Sequence, residues 1–146
     1  MATFSRRATI EWSGDVPRGT GGVTAGSGAF SIPVTFPRLG GEPAGTSSPE
    51  ELLAASHATC FGIGLRSQIG MRGGTARRVE VTATVTADKG SREIRIRSSH
   101  LTGHVEGLEG VDPTMLPEIA QAVEEGCTIS AAIRQAVAIS VEISAV

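Results

Sequence analysis

Two cysteines are the residues of this sequence best suited to chemistry. Cys60 follows an apolar stretch at 52–59, and Cys127 lies directly after Gly126. Free cysteine is among the most buried residue types, so both fit a place in the core. They equally fit a redox pair, in which one thiolate attacks a peroxide and the second thiol resolves the oxidised product. Residue types alone leave both interpretations open.

A peroxide-reactive thiol needs a cation nearby, because the thiolate is the nucleophile and the ordinary thiol pKa is about 8.5. Cys60 is predicted in the middle of a helix, where the helix dipole gives little help. Arginine suits the task because it stays protonated and donates several hydrogen bonds. Arg18 and Arg38, each among glycines in loops before the helix, are the candidates, and Glu50 could orient either. Surface arginines and a helix-start glutamate are the alternative interpretations.

The amino-acid composition argues against several classes of protein. The 146 residues fit one domain, 1–146. The apolar fraction of 40% excludes a disordered chain, and a net charge of −2 without a basic stripe disfavours nucleic-acid binding. Aromatic residues make up only 3%, which argues against a stacking platform for bases.

The chain start and the cysteine pattern suggest a cytoplasmic location. Residues 1–10 lack the apolar core of a signal peptide, and no apolar run reaches the ~20 residues of a membrane span. Structural disulfides are rare in the cytoplasm. Neither cysteine belongs to a CxxC pair, and His100 and His104 lack a third ligand, so we expect no metal or other bound cofactor.

The elements that would position these residues follow an α+β order. Short strands are expected in the first part of the chain, and a largely buried helix from Ser48-Pro49 to about Met71. Ser48 can cap this helix, with Pro49 at its first position and Glu51 at the capping-box position. Alternating patterns and turn residues then predict further elements, in this order: strands 75–87 and 92–105, helices 112–125 and 130–135, and a strand at 136–146.

Several motifs together resemble one known family. They are Trp12-Ser13-Gly14-Asp15, Arg18-Gly19, Phe36-Pro37-Arg38, the block from Gly45 to Phe61, and Glu124-Glu125-Gly126-Cys127-Thr128-Ile129-Ser130. In this order they resemble the osmotically inducible protein C (OsmC) and organic hydroperoxide resistance (Ohr) family, and more closely its OsmC branch. One departure is Thr128, where the family usually has proline, which suggests a looser loop after the second cysteine.

The resemblance implies an α+β fold, with antiparallel sheets around a long buried central helix, in an intertwined homodimer. It also implies a thiol-dependent peroxidase that prefers organic hydroperoxides. Cys60 would be the peroxidatic thiolate and Cys127 the resolving thiol. Arg38 and Glu50 would form the activating pair, with Arg18 as the alternative arginine. An external dithiol, such as a lipoyl protein or thioredoxin, would reduce the resulting disulfide.

Helix geometry suggests that the site is shared between two chains. Glu50 and Cys60 are ten residues apart, which is ~15 Å along one helix, so one arginine would hardly reach both. Two such helices packed antiparallel near Ala55 would bring Glu50 of one chain opposite Cys60 of the other. A buried helix in so short a chain also favours a dimer.

Three further interpretations accompany this one. An apolar pocket for a hydrocarbon tail could include Phe36, Phe61 and Ile63, each of which could equally be a core residue. His57, three residues before Cys60, could form a Cys–His nucleophile pair, although a hydrogen-bonded buried histidine is the simpler expectation. The alternative to an enzyme is a dimeric binding or stress-related module of the same fold, with inert cysteines.

Overall fold

Six strands and three α-helices follow the α+β order that the sequence predicts. The structure, a computed structural model, describes residues 1–146. Its contacts divide the chain into two compact units, Met1–Leu52 and Leu53–Val146, and each unit contains a three-stranded sheet. Helix α1 (Pro49–Met71) begins in the first unit and runs on into the second.

The first unit is an antiparallel meander of β1 (Ala8–Ser13), β2 (Thr20–Ala25) and β3 (Ser31–Val34). In this sheet Ile10 of β1 lies opposite Val23 of β2. These strands are short and are joined by turns, as the Gly- and Ser-rich sequence indicated.

The indole of Trp12 explains why β2 carries a glycine opposite it. Gly21 pairs with Trp12 across the sheet, and a Cβ at Gly21 would lie 2.3 Å from Cε3 of the indole ring. Any larger side chain would therefore displace Trp12 from the sheet surface.

The second unit contains β4 (Arg78–Lys89), β5 (Ile94–Glu106) and β6 (Ala138–Ala145), in that order across the sheet. The β4–β5 hairpin is antiparallel, as predicted. The expectation of purely antiparallel sheets is wrong at one pair, because β6 runs parallel to β5. Parallel strands need a long crossover, and the helical segment between β5 and β6 supplies it.

That crossover begins with the 3-10 turn Pro113–Met115, continues with α2 (Leu116–Gly126) and ends with α3 (Thr128–Ile133). Asp112 caps the turn by accepting a hydrogen bond of 2.9 Å from the backbone N–H of Thr114. Helix α3 starts two residues earlier than the sequence predicted, which makes Cys127 its N-cap.

Helix α1 begins where the capping signal predicted. The backbone N–H of Glu51 donates to Oγ of Ser48 at 3.4 Å, so Ser48 is the cap. The Glu51 carboxylate accepts from the hydroxyl of Ser47 at 2.8 Å, rather than from the Ser48 backbone as a capping box would have it.

The sequence prediction of a helix buried on more than one face is wrong for the single chain. One stripe of α1, His57, Phe61, Leu65 and Ile69, is fully buried. The opposite stripe is open, and the side chain of Ile63 is 69% exposed. Apolar residues lie on every side of α1, but the rest of a single chain covers only one face of this helix.

The core of the second unit lies between the sheet and the helices α1 and α2. Its fully or nearly fully buried members are Phe61, Leu65, Ile69, Leu101, Val105, Leu116, Ile119, Ala120 and Val123. The other face of the sheet presents polar residues at alternating positions, including His100 and His104. Even α1, the longest helix, lacks the combination of length and hydropathy that a membrane span requires.

Candidate active site

The two cysteines lie together in the second unit, although they are far apart in sequence. The thiols of Cys60 and Cys127 are close enough for each to shift the pKa of the other. The backbone groups of Ile129 and Thr128 also act on Cys60 and favour a lower pKa. Cys60 is half-buried, Cys127 is buried, and both are free thiols. Two neighbouring free thiols are candidates for a disulfide.

The pKa values of the two thiols shift in opposite directions. Burial raises the pKa of Cys60, and the hydrogen bonds from Ile129 and Thr128 offset this only in part. Burial also opposes ionisation of Cys127, but hydrogen bonds from the backbone N–H of Ser130, from Cys60 and from the Ser130 hydroxyl outweigh it and lower the pKa of Cys127. No arginine is among the largest causes of either shift.

The loop that carries Cys127 is tied at several points. The Cys127 N–H donates to the carbonyl of Glu124 at 3.4 Å, and its own carbonyl accepts from Ala131 at 2.9 Å. The Arg134 guanidinium donates to the Glu124 carbonyl at 2.8 Å and pairs with the Glu124 carboxylate at 3.2 Å. Thr128 stands where the family resemblance predicts a proline, and for that reason we expected a looser loop. These hydrogen bonds restrain the loop.

His57 is fully buried one helical turn before Cys60. Its Nδ1 lies 2.7 Å from Oγ of Ser99 on β5, and its Nε2 lies 2.8 Å from Oγ of Ser130 on α3. Burial lowers the pKa of His57, and the negative charge of Glu124 opposes this in part. Since serine hydroxyls occupy both ring nitrogens, His57 is the hydrogen-bonded buried histidine that the sequence suggested, and not the direct partner of a nucleophilic cysteine.

Arg18 lies exposed in the loop between β1 and β2 and is held by Asp15. Its Nη2 is 2.5 Å from Oδ2 of Asp15, and its backbone N–H also donates to this carboxylate. These hydrogen bonds lower the pKa of Asp15. The guanidinium of Arg18 therefore already has a carboxylate partner.

Arg38 and Glu50 belong to the first unit. Arg38 is exposed, and its backbone N–H donates to the Glu42 carboxylate at 3.2 Å. Glu50 lies in the first turn of α1, and its Oε2 is buried without a hydrogen-bond partner. An unpaired buried carboxylate oxygen is costly, so Glu50 is a group that would accept a cation from outside.

The three expected pocket residues have different surroundings. Phe61 is fully buried in the core cluster, and Ile63 is exposed. Phe36 lines a cavity of about 290 Å³ in the first unit, whose walls are almost entirely apolar. The other walls of the cavity come from Ile10, Trp12, Val16, Val23, Val34, Thr35, Pro37, Pro49 and Leu52.

His100 and His104 lie on the polar face of the second sheet. Nδ1 of His100 is 2.6 Å from Oγ of Ser140, and Nδ1 of His104 is 3.1 Å from Oγ of Ser144. Each histidine thus pairs with the serine opposite it on β6. No cluster of three or more metal-ligating side chains is present in the structure.

Sequence reasoning missed Ser99 and Ser130. Ser130 had a local signal, because it lies three residues after Cys127, the spacing at which an N-cap side chain accepts the backbone N–H. Ser99 had none, since only the packing of α1 against β5 brings it to His57.

Comparisons with known proteins identify the family of this chain. The family profile described as OsmC-like protein matches residues 41–142. Peroxiredoxin OsmC of Escherichia coli is 33% identical over 130 residues, which cover 88% of this chain and 89% of that protein.

Solved structures of the same fold cover nearly the whole chain. An organic hydroperoxide resistance protein OsmC from Legionella pneumophila superposes with a TM-score of 0.76 at 25% identity, over 99% of each chain. The organic hydroperoxide resistance protein OhrB of Bacillus subtilis gives 0.74 at 24% identity, over 98% of this chain and all of the other. The chain belongs to the OsmC-like protein family, and it has the α+β fold of OsmC and Ohr proteins.

Proposed function

We propose that this protein is a thiol-dependent peroxidase that reduces organic hydroperoxides to alcohols. The observation that carries the proposal is the juxtaposition of the two free thiols, Cys60 and Cys127, which are close enough to act on each other's pKa. The relative from Escherichia coli is named a peroxiredoxin, and the Legionella and Bacillus structures are named organic hydroperoxide resistance proteins, which supports a role in hydroperoxide chemistry.

In the first step the Cys60 thiolate attacks the terminal oxygen of the hydroperoxide. A sulfur–oxygen bond forms and the oxygen–oxygen bond breaks. The alkoxide leaves, takes up a proton and departs as the alcohol, and Cys60 becomes a sulfenic acid. The backbone N–H groups of Thr128 and Ile129 would stabilise negative charge at the sulfur during this attack.

In the second step the Cys127 thiolate attacks the Cys60 sulfur. A disulfide forms, the sulfur–oxygen bond breaks, and hydroxide leaves and is protonated to water. An external dithiol, such as a lipoyl protein or thioredoxin, then donates two electrons by thiol–disulfide exchange and restores both thiols. The cycle uses no metal and no bound organic cofactor.

The first step also needs a cation, because burial raises the pKa of Cys60 and no arginine is among the largest causes of its shift. We assign this cation to Arg38, oriented by Glu50, whose Oε2 is buried and unpaired. Arg18 is the alternative, although Asp15 already holds it. In a homodimer whose α1 helices cross near Ala55, Glu50 of one chain would lie near Cys60 of the other.

The apolar cavity lined by Phe36 supports a substrate with a hydrocarbon group. Its walls offer dispersion contacts and almost no hydrogen-bonding groups, which suits an alkyl or aryl hydroperoxide better than hydrogen peroxide. Ile63 and Phe61 would add to a pocket only by movement or assembly, since one is exposed and the other is buried in the core. We place this activity in the cytoplasm, where dithiol reductants are abundant.

The test is steady-state consumption of cumene hydroperoxide with dihydrolipoamide as reductant. Wild type should consume cumene hydroperoxide faster than hydrogen peroxide, and Cys60→Ser should be inactive. Ser140→Ala, which removes a surface hydroxyl bonded to His100, is the control and should keep full activity. Equal, slow consumption by wild type and Cys60→Ser would overturn the proposal.

One observation favours a second candidate, a non-catalytic dimeric binding or stress-related module. The raised pKa of Cys60 describes an unreactive thiol if no cation reaches it. In that case wild type would keep both thiols reduced after prolonged exposure to cumene hydroperoxide.

A further inference from the structure

One arginine side chain closes the loop that carries Cys127. Nη2 of Arg134, the residue after α3, donates to the backbone carbonyl of Glu124 at 2.8 Å and lies 3.2 Å from Oε1 of the Glu124 carboxylate. The backbone N–H of Cys127 donates to the same Glu124 carbonyl at 3.4 Å. The guanidinium and the Cys127 N–H therefore share one acceptor, and the two ends of the loop that contains Cys127 are joined.

Hydrogen bonds inside this loop also hold the backbone of Cys127. Its carbonyl accepts from the N–H of Ala131 at 2.9 Å, and the carbonyl of Ser130 accepts from the N–H of Arg134 at 2.9 Å. Sγ of Cys127 accepts from the backbone N–H of Ser130 at 3.5 Å. Because its N–H and its carbonyl are both bonded, the direction in which Cys127 presents its buried thiol is fixed by the loop.

The contact between Arg134 and Glu124 is stronger than an ordinary surface ion pair. The side chains are 39% and 25% exposed, so both are partly withdrawn from water. The carbonyl and the carboxylate of Glu124 both accept from the guanidinium, and hydrogen bonds that involve charged groups are stronger than neutral ones. Lysine would supply the charge without the planar set of donors.

We propose that Arg134 is a positioning residue for the thiol pair: by closing the loop from Glu124 to Arg134, it holds Cys127 beside Cys60 and sets how readily the two thiols form a disulfide. A group held next to its reaction partner acts at a high effective concentration, which falls when the group is released. The inference goes beyond the proposed function, which gives Arg134 no part, and rests on that function only for the use of the disulfide in peroxide reduction.

The first experiment measures the equilibrium between the dithiol and the disulfide in mixtures of reduced and oxidised glutathione. Oxidised glutathione takes two electrons and two protons from Cys60 and Cys127, which join in a disulfide, and two molecules of reduced glutathione are released. Arg134→Met should lower the equilibrium constant about tenfold, the effect of one hydrogen bond to a charged group. Arg134→Lys should lie between Arg134→Met and wild type.

Arg72 provides a matched control in the same unit. It follows α1, its side chain is 24% exposed, and it donates to the carbonyl of Gln68 at 3.4 Å and lies 3.7 Å from the carboxylate of Glu118. Arg72→Met thus removes the same kinds of contact at a position twelve residues beyond Cys60. It should leave the glutathione equilibrium within about twofold of wild type. Urea denaturation of the reduced proteins shows how far each substitution lowers the free energy of unfolding.

A second readout follows the Cys60 sulfenic acid after cumene hydroperoxide is added in the presence of dimedone. The share of Cys60 that dimedone captures, rather than Cys127, does not depend on how fast the sulfenic acid forms. This share should rise in Arg134→Met and stay at the wild-type value in Arg72→Met. If Arg134→Met fails to fold, Glu124→Gln takes its place. Glu124→Gln keeps the carbonyl but removes the carboxylate, so it should shift the glutathione equilibrium in the same direction by a smaller factor.

The two proposals can fail separately. If wild type forms a disulfide with oxidised glutathione but no sulfenic acid with cumene hydroperoxide, the proposed function fails and the glutathione equilibrium alone decides on Arg134. If wild type forms no disulfide with oxidised glutathione, the inference is overturned. The same holds if Arg134→Met and Arg72→Met shift the equilibrium equally, or if Arg134→Met shifts it by less than about twofold, since Arg134 would then be a structural residue only.

Discussion

The thiols of Cys60 and Cys127 lie close enough in the fold to act on each other's pKa. Burial dominates at Cys60, whereas the Ser130 and Cys60 donors outweigh burial at Cys127. Burial therefore works against the thiolate form of Cys60, which a nearby cation would favour. The reactivity of Cys60 then depends on where that cation comes from.

Removal of Arg38 should test whether this residue supplies the cation. Arg38→Met should slow formation of the Cys60 sulfenic acid by about tenfold or more, because a nearby cation lowers a thiol pKa by a unit or more. Arg18→Met should change it less than about threefold, since Asp15 already pairs with Arg18. The rate of thiol loss with excess cumene hydroperoxide measures both. The reverse order of effects would identify Arg18 as the activating residue.

Assembly should depend on the open stripe of α1. Ala55 is exposed in the single chain and lies at the crossing point proposed for two helices. Ala55→Glu should convert a dimer to a monomer in sedimentation analysis, because it would bury like charges side by side. Ala145→Glu adds the same charge at an exposed position near the end of β6 and should leave the dimer intact. A wild-type monomer would contradict the shared site.

Two glycines of α1 offer a matched test of packing against α2 and β4. A Cβ at Gly64 would lie 2.9 Å from Cγ1 of Val123, so Gly64→Ala should lower the free energy of unfolding by about 1–3 kcal/mol. A Cβ at Gly62 would lie 3.6 Å from Val81, an ordinary contact, so Gly62→Ala should raise it by up to about 1 kcal/mol. Urea denaturation measures both, and equal effects would contradict the described packing.

Stability should fall on mild acidification because of His57. Its pKa is lowered by burial, so below the ordinary value of 6.5 the unfolded state binds a proton that the folded state refuses. The contribution of His57 to the free energy of unfolding is therefore fully present above pH 6.5. Below that pH it falls by at most about 1.4 kcal/mol per pH unit, until the pKa of His57 in the folded state is reached. His100→Gln, on the sheet surface, should keep this slope. His57→Gln should remove it, and an unchanged slope would contradict the assignment.

The sequence predicted the order of elements and the cap of α1, because these depend on local patterns such as Ser48-Pro49 and the alternation of strands. It also placed both cysteines within recognisable motifs. It did not predict the parallel pairing of β6 or the one-sided burial of α1, which depend on how distant elements pack. The hydrogen bonds that link Ser99 to Ser130 through His57 were not predicted either, because no local sequence pattern marks Ser99.

The most direct test of the central claim is the intact mass and free-thiol count after one equivalent of cumene hydroperoxide, in wild type and in Cys127→Ser. We expect wild type to lose both thiols and two hydrogens, and Cys127→Ser to gain one oxygen as a sulfenic acid that a dimedone probe captures at Cys60. Unchanged mass and thiols in both proteins would contradict the account and leave the cysteines as structural residues of an OsmC-like fold.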